Sequence, residues 1–92
     1  MLTKDLFQGE MISNQEIDKV FSLLEKQILD QTEITLDFGS LTFISVYFLE
    51  RLESFLQKAK ELKVRIEIVN VQPNIYKVFQ VARVKSILEI CY

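Results

Sequence analysis

The stretch TLDFGSLTFISVYFLERL, residues 35–52, predicts three elements of secondary structure in close succession. Apolar and polar residues alternate over 33–38, which is the pattern of a half-buried strand. Gly39 and the serine after it predict a turn, and a second short apolar run follows at 41–44. Over 45–62, apolar residues recur at three- and four-residue spacing, the pattern of an amphipathic helix. The stretch therefore predicts a strand, a turn, a short strand and a helix.

The predicted helix has an unusual pair of residues in its first turn. Its apolar stripe is expected to be buried and consists of Phe48, Leu52, Phe55, Ala59 and Leu62, flanked by Leu49 and Leu56. On a helical wheel, Val46 falls on the opposite side near Glu50, and Tyr47 falls at the margin of the stripe. An apolar, β-branched residue on the solvent side has no packing role there. Its position suggests a contact surface, although a lone exposed apolar side chain without function is the alternative.

A strand and a helix are predicted before this stretch. Residues 2–11 are weakly strand-like and end near Gly9. The segment SNQE then places Ser13 at a predicted N-cap and Glu16 three residues later, which together form a capping box. The helix is predicted over about 14–29. Its apolar face is formed by Ile17, Val20, Phe21, Leu24 and Ile28.

A strand, a helix and a short final segment are predicted after it. Residues 64–70 alternate and predict a strand, and Pro73 fits the first turn of a third helix, where its missing N–H costs nothing. The apolar face of that helix is expected to consist of Ile75, Val78, Phe79 and Ala82. Residues 86–92 predict a strand or a short turn, and Phe7 and Phe43 are expected in the core. Strands that alternate with helices predict a layered α/β domain.

The composition excludes several classes of function. The chain has 92 residues, 49% of them hydrophobic, and a net charge of −2, so we expect one domain, residues 1–92, with one core. Its basic residues are scattered, which argues against a nucleic-acid partner. The chain has no histidine, no glycine-rich phosphate loop and no zinc-ligand spacing, so we expect neither enzymatic activity nor a cofactor or metal. The single cysteine, Cys91, is expected to be a part-buried apolar side chain.

The distribution of apolar residues also bears on location. No apolar run approaches the roughly 20 residues that a membrane-spanning helix needs. The first residues lack the long apolar stretch of a signal peptide. We therefore expect no membrane span and a cytoplasmic location.

Three segments together resemble one family. EITLDFGSLTFISVYFLERL, residues 33–52, is similar to the central segment of STAS domains, the sulfate-transporter and anti-sigma-factor-antagonist module. KVRIEIVNVQPNIYKVFQVARV, residues 63–84, is similar to the family's next strand and helix, and LFQGEMISNQEI, residues 6–17, resembles its early strand and first helix. The resemblance implies a single small STAS-like domain, with a roughly four-stranded mixed sheet packed against three or four helices.

The chain departs from the family at the start of the second helix. The family's D-S-S-G motif is matched here by Ser45, Val46, Tyr47 and Phe48. Partner kinases phosphorylate the first serine of that motif in many anti-sigma antagonists, and Val46 at this position has no hydroxyl. Ser45 is expected to be the N-cap of the helix instead. The family's glycine near the end of the third helix is matched by Arg83.

The resemblance places a partner-binding surface at the start of the second helix. We assign this surface to Ser45, Val46, Tyr47, Glu50 and Tyr76. The loop before it, formed by Asp37, Gly39 and Ser40, is expected to support it, with Asp37 accepting hydrogen bonds from N–H groups near Gly39. Two apolar side chains at the start of a helix add contact area, and tyrosine is favoured at the centre of interfaces.

The implied function is protein binding, with alternatives. The first is an anti-sigma factor antagonist that contacts an anti-sigma factor or a serine-kinase-like switch protein in the regulation of transcription. The second is an accessory subunit of a transporter ATPase, and the third is a nucleotide or lipid sensor. A homodimer formed through the first strand is also left open by the sequence. An enzyme has little support.

Overall fold

The computed structural model describes residues 6–91. The described elements, in chain order, are β1 (Gly9–Met11), α1 (Asn14–Gln27), β2 (Glu33–Asp37), β3 (Leu41–Ile44), α2 (Val46–Glu61), β4 (Arg65–Val69), α3 (Pro73–Ala82) and α4 (Lys85–Leu88). The order of elements predicted from the sequence is confirmed from β1 to α3. The strand predicted over 2–11 appears as β1 alone; residues 2–5 of that prediction lie outside the described residues.

Local capping signals fix where the helices begin. The Ser13 side chain accepts a hydrogen bond from the Glu16 amide at 3.5 Å, and α1 starts at the next residue. The Ser45 side chain accepts from the Phe48 amide at 3.1 Å, which starts α2. Pro73 occupies the first turn of α3. All three predicted helix starts are confirmed, because each depends only on residues within one turn.

The strands form two parallel pairs. β1 pairs with β3, and β2 pairs with β4. The predicted single four-stranded mixed sheet is not confirmed by residues 6–91. Only three residues link β2 to β3, whereas two parallel neighbours need a crossover of roughly a dozen residues or more. β3 therefore cannot pair in parallel with β2. It pairs with β1 instead, and α2 provides the crossover from β2 to β4.

Four phenylalanine rings lie at the centre of the core. Phe7, Phe21, Phe38 and Phe48 are all fully buried. The Phe38 and Phe7 rings are 4.8 Å apart between centroids, and the Phe48 and Phe21 rings 5.4 Å apart, both edge to face. These rings come from the N-terminal segment, α1, the end of β2 and α2. The cluster therefore packs the two helices onto the strands, and the expectation that Phe7 is in the core is confirmed.

Four apolar residues expected inside are instead at the surface. Phe43 is 50% exposed and Leu62 is 51% exposed, so both predictions were wrong. Leu62 is the C-cap of α2, in the turn that leads into β4. Val78 and Ala82 are also exposed. Of the four apolar residues expected on the buried face of α3, only Ile75 and Phe79 are buried.

The register of the β1–β3 pair explains why Phe43 is exposed. In the parallel pair β1–β3, Met11 lies beside Ile44 and Glu10 lies beside Phe43. Met11 and Ile44 are both buried, so they define the inner face of the pair. Because successive side chains of a strand point to opposite faces, Phe43 and Glu10 share the outer face.

The C-terminal segment combines the two predicted alternatives. Arg83 ends α3 with a φ of 55°, a left-handed conformation that favours glycine. The family has a glycine near this point. The short helix α4 follows. The chain then extends so that the Ile90 carbonyl accepts from the Ile68 amide at 3.0 Å, with a single bridge between Ile68 and Cys91. Cys91 is partly buried as expected, and burial raises the pKa of its thiol to about 11.

Candidate functional site

Two hydrogen bonds of Ser45 hold the junction between β3 and α2. The Ser45 amide donates to the Met11 carbonyl at 3.2 Å, which ties the junction to β1. The Ser45 hydroxyl oxygen accepts from the Phe48 amide, as predicted for an N-cap. The strand-to-helix junction therefore lies where the sequence placed it, between Ile44 and Val46.

Val46 faces solvent at this junction. Its side chain is 73% exposed, and Glu50, one turn further along α2, is exposed beside it. The helical-wheel prediction for Val46 is therefore confirmed. The exposed surface at the start of α2 is therefore apolar at Val46 in the first turn and acidic at Glu50 in the second.

Tyr47 lies on a different side of α2. Its ring is partly buried against the core, and its hydroxyl donates a hydrogen bond to Asp18 Oδ1 on α1. This hydrogen bond to a carboxylate, together with desolvation, raises the pKa of the Tyr47 phenol. Tyr47 thus ties the start of α2 to α1. This contact was not predicted from the sequence, because the two residues are 29 positions apart.

Tyr47 belongs to a row of polar contacts between α1 and α2, which we call the α1–α2 charge ladder. Arg51 lies in its middle, with Nε 3.1 Å from Asp18 Oδ1 and Nη2 3.3 Å from Glu25 Oε1. Lys58 Nζ lies 2.8 Å from Glu25 Oε2. The Arg51 guanidinium also lies over the Phe21 ring, 5.6 Å from its centroid. The ladder therefore joins the two helices along the side next to Tyr47.

Glu25 is the residue of the ladder with two cationic partners. Its partial burial raises its pKa, but the hydrogen bonds from Lys58 and Arg51 outweigh that effect, so the pKa lies below its ordinary value of 4.5. A carboxyl whose pKa is lowered on folding stabilises the native state at pH values above its unfolded pKa. This contribution is lost as the pH falls through the lowered folded-state pKa.

Glu25→Gln is therefore expected to reduce the dependence of stability on acid pH. We expect wild type to be more stable than the variant near neutral pH, and the difference to shrink as the pH falls below 4.5. Urea denaturation across this pH range measures it. Glu53→Gln, a substitution on the exposed face of α2, is the matched control. A difference that stays constant with pH would contradict the role assigned to Glu25.

The loop before β3 is organised around a buried carboxylate. Asp37 is 6% exposed, and its Oδ1 accepts from the Gly39 amide at 2.8 Å, which confirms the predicted bond. Its Oδ2 accepts from Asn70 Nδ2 at 3.2 Å, and Gln72 Nε2 donates to the Gly39 carbonyl at 2.8 Å. The carbonyl oxygen of the half-buried Ser40 accepts a hydrogen bond from the Gly9 amide at 2.8 Å. This loop supports the junction, and its polar atoms are used within the fold.

Tyr76 does not join the other predicted contact residues. Asn74 Nδ2 donates to the Thr42 carbonyl at 3.0 Å, so this flank of α3 faces β3. Tyr76, which is 38% exposed, lies about 200° further around the helix axis, on the opposite flank. The structure therefore brings Ser45, Val46 and Glu50 to one surface and places Tyr76 elsewhere. Its assignment to a binding surface stays a prediction.

Residues 6–91 contain no group of three or more Cys, Asp or Glu side chains arranged to hold a metal ion. No helix within those residues is long and apolar enough to cross a membrane. A half-open groove of about 280 Å³ lies between α2, β4 and α4, toward the opposite end of α2 from Val46.

Comparison with known proteins identifies the family. No curated protein matches the chain. The family model of the STAS domain matches residues 7–92, which is nearly the whole length. The described part of this range, residues 7–91, has the α/β arrangement of strands and helices given above. The chain therefore belongs to the STAS domain family.

Proposed function

We propose that this chain is a non-enzymatic protein-binding module, of the anti-sigma factor antagonist kind, that contacts its partner through the start of α2. STAS domains are generally binding modules that mediate protein–protein interactions. The observation that supports the proposal here is the 73% exposure of Val46 in the first turn of α2. An apolar side chain at this point is more useful to a contact than to the fold, because the core of this chain is on the other side of the helix.

The position on this surface that matches the family's phosphorylated serine lacks a hydroxyl. Val46 stands where many family members have the phosphorylated serine. The hydroxyl oxygen of Ser45 accepts the cap hydrogen bond, and the hydroxyl of Tyr47 donates to Asp18. A phosphoserine would add a charge of about −1.5 to −2 to this surface. Without it, we propose that the module binds its partner constitutively, or is regulated elsewhere.

A charge at position 46 tests the proposal. We expect Val46→Asp to reduce capture of an anti-sigma factor or serine-kinase-like protein by about tenfold or more, because a desolvated, unpaired carboxylate would lie in the contact. The measurement is affinity purification of the tagged protein from its source cells, with mass spectrometry. Asp is well tolerated in the first turn of a helix, so the variant is expected to fold.

Val81→Asp is the matched control, since Val81 is 74% exposed on α3. Retention of every partner by Val46→Asp would contradict the proposed function. Selective capture of a transporter ATPase would instead support the accessory-subunit alternative. A rise in melting temperature on addition of ATP, GTP or lipid would support the sensor alternative, because a ligand that binds only the folded state stabilises it.

A further inference from the structure

The structure assigns a larger contact surface to this chain than the start of α2 alone, and it indicates the charge of the partner. We infer that Ile12, Phe43 and Val46 form one apolar patch with a rim of carboxylates, and that it binds a protein surface with an apolar centre and a Lys/Arg rim. This inference rests on the proposed function and deepens it. We call the three residues the β1–β3 patch.

The register of β1 and β3 brings the patch together. Phe43 is on the outer face of the pair, as shown by the burial of Met11 and Ile44 on the inner face. Ile12 follows Met11 and therefore points to the outer face as well. The Met11 carbonyl accepts the Ser45 amide, so Ile12 lies beside Ser45, one residue from Val46. The three side chains of the patch are 51%, 50% and 73% exposed.

Three separate parts of the chain contribute to this patch. Ile12 precedes α1, Phe43 is on β3 and Val46 is on α2. Scattered single apolar residues on a surface need no explanation, whereas neighbouring ones brought together by tertiary structure are typical of interaction sites. None of the three fills a core position, and each leaves about half or more of its side chain at the surface.

Three carboxylates lie on the elements that form the patch. Glu10 lies beside Phe43 in the strand pair, Glu50 lies one turn after Val46, and Glu16 lies in the first turn of α1, four residues after Ile12. All three are exposed. Arg51, the one cation in the first half of α2, is turned away into the α1–α2 charge ladder. The other cations of α2, Lys58 and Lys60, lie in its last turn.

This arrangement selects the chemistry of the partner. Carboxylates around the patch repel nucleic acid and anionic lipid headgroups, so neither fits this surface. They attract Lys and Arg side chains at the edge of a protein contact, where charges chiefly raise the association rate and select the partner. The apolar centre then supplies the desolvated contact that slows dissociation. The occupant is therefore a protein surface with apolar residues bordered by cations.

The test uses the purified protein that is captured by the wild-type chain, with binding kinetics measured at low and high salt. We expect Phe43→Ser to weaken binding about tenfold, mainly through faster dissociation. We expect the double variant Glu10→Lys with Glu50→Lys to slow association and to lose most of the salt dependence of the association rate. All these side chains are exposed, so we expect each variant to fold, and circular dichroism is the measurement that checks this.

Matched controls come from the far end of the molecule. Leu29→Ser removes a 71% exposed apolar side chain just after α1, on the order of 20 Å from the start of that helix. Glu89→Lys reverses an exposed charge after α4. Both are expected to bind like wild type.

The possible results separate the two proposals. If Val46→Asp abolishes binding while Phe43→Ser and the double Lys variant bind like wild type, the extended patch is wrong and the proposed function stands. If charge reversal speeds association, the partner is acidic and the inferred rim is wrong. If Val46→Asp has no effect, the proposed function fails, and this inference fails with it.

Discussion

Phe48→Ala is expected to leave little of the protein folded at physiological temperature. The Phe48 ring is fully buried between three others, with centroids 5.8 Å from Phe7, 5.4 Å from Phe21 and 6.0 Å from Phe38. Truncation of a buried phenylalanine costs about 3–5 kcal/mol, from lost burial and the cavity left behind. The total stability of a domain is only about 5–15 kcal/mol, and a chain of this length belongs near the lower end.

Urea and thermal denaturation, followed by circular dichroism, measure this effect. We expect the melting temperature to fall by about 20 °C. Phe43→Ala is the matched control, because it removes the same ring from a half-exposed position and should cost under about 1 kcal/mol. Phe48→Leu keeps part of the side-chain volume, so its stability should lie between those of Phe48→Ala and Phe43→Ala. Equal stabilities of Phe48→Ala and Phe43→Ala would show that the aromatic cluster is not the centre of the core.

Asp37→Ala is expected to have the second largest effect on stability. Its carboxylate accepts both the Gly39 amide and the Asn70 side-chain amide, so it fixes the turn after β2 to the end of β4. Removing the acceptor leaves these donors without their partner in a region that is mostly buried. The cost of a lost partner is about 1–3 kcal/mol, and more for a charged group. We expect a loss of about 2–3 kcal/mol.

Asp37→Asn separates the hydrogen bonds from the charge. Its carbonyl oxygen can still accept from the Gly39 amide, so we expect it to recover about half of the loss. Asp30→Ala, in the exposed turn after α1, is the control for removal of a carboxylate. If the free energy of unfolding falls no more for Asp37→Ala than for Asp30→Ala, Asp37 does not hold this loop.

The same loop limits what residue 39 can be. A Cβ atom built at Gly39 would lie 3.0 Å from Asp37 Oδ1 and 3.3 Å from Asn70 Cβ. Both are tighter than ordinary contacts, so the small size of glycine lets the two strand ends approach. The turn thereby directs β3 toward β1 and sets the position of the junction at Ser45.

The structure also explains why Val46 suits a contact better than its neighbours do. Ser45 is fixed by its cap and by β1, and Tyr47 is fixed by Asp18. Val46 lies between them with its side chain in solvent. A contact surface whose neighbours are already ordered loses less conformational freedom on binding, which favours affinity. The α1–α2 charge ladder thus holds Tyr47, the residue next to Val46, against α1.

The sequence by itself determined the local features of this protein. The helix starts after Ser13 and Ser45 and at Pro73 were correctly predicted, because a cap depends on residues within a single turn. The exposure of Val46 was also correctly predicted, because helical periodicity gives the side of the helix on which a residue lies. The Asp37–Gly39 bond follows the same rule, since its partners are two residues apart.

Only the tertiary structure decided which surfaces meet. Periodicity shows which side of an element is apolar, but it cannot show whether another element covers that side. Phe43 was therefore wrongly placed in the core, and Tyr47 was not predicted to contact Asp18. Ile12 comes to lie beside Ser45 only through the parallel pairing of β1 with β3. That pairing depends on the length of the links between strands and on the packing of α1 and α2, both of which involve residues distant in the chain.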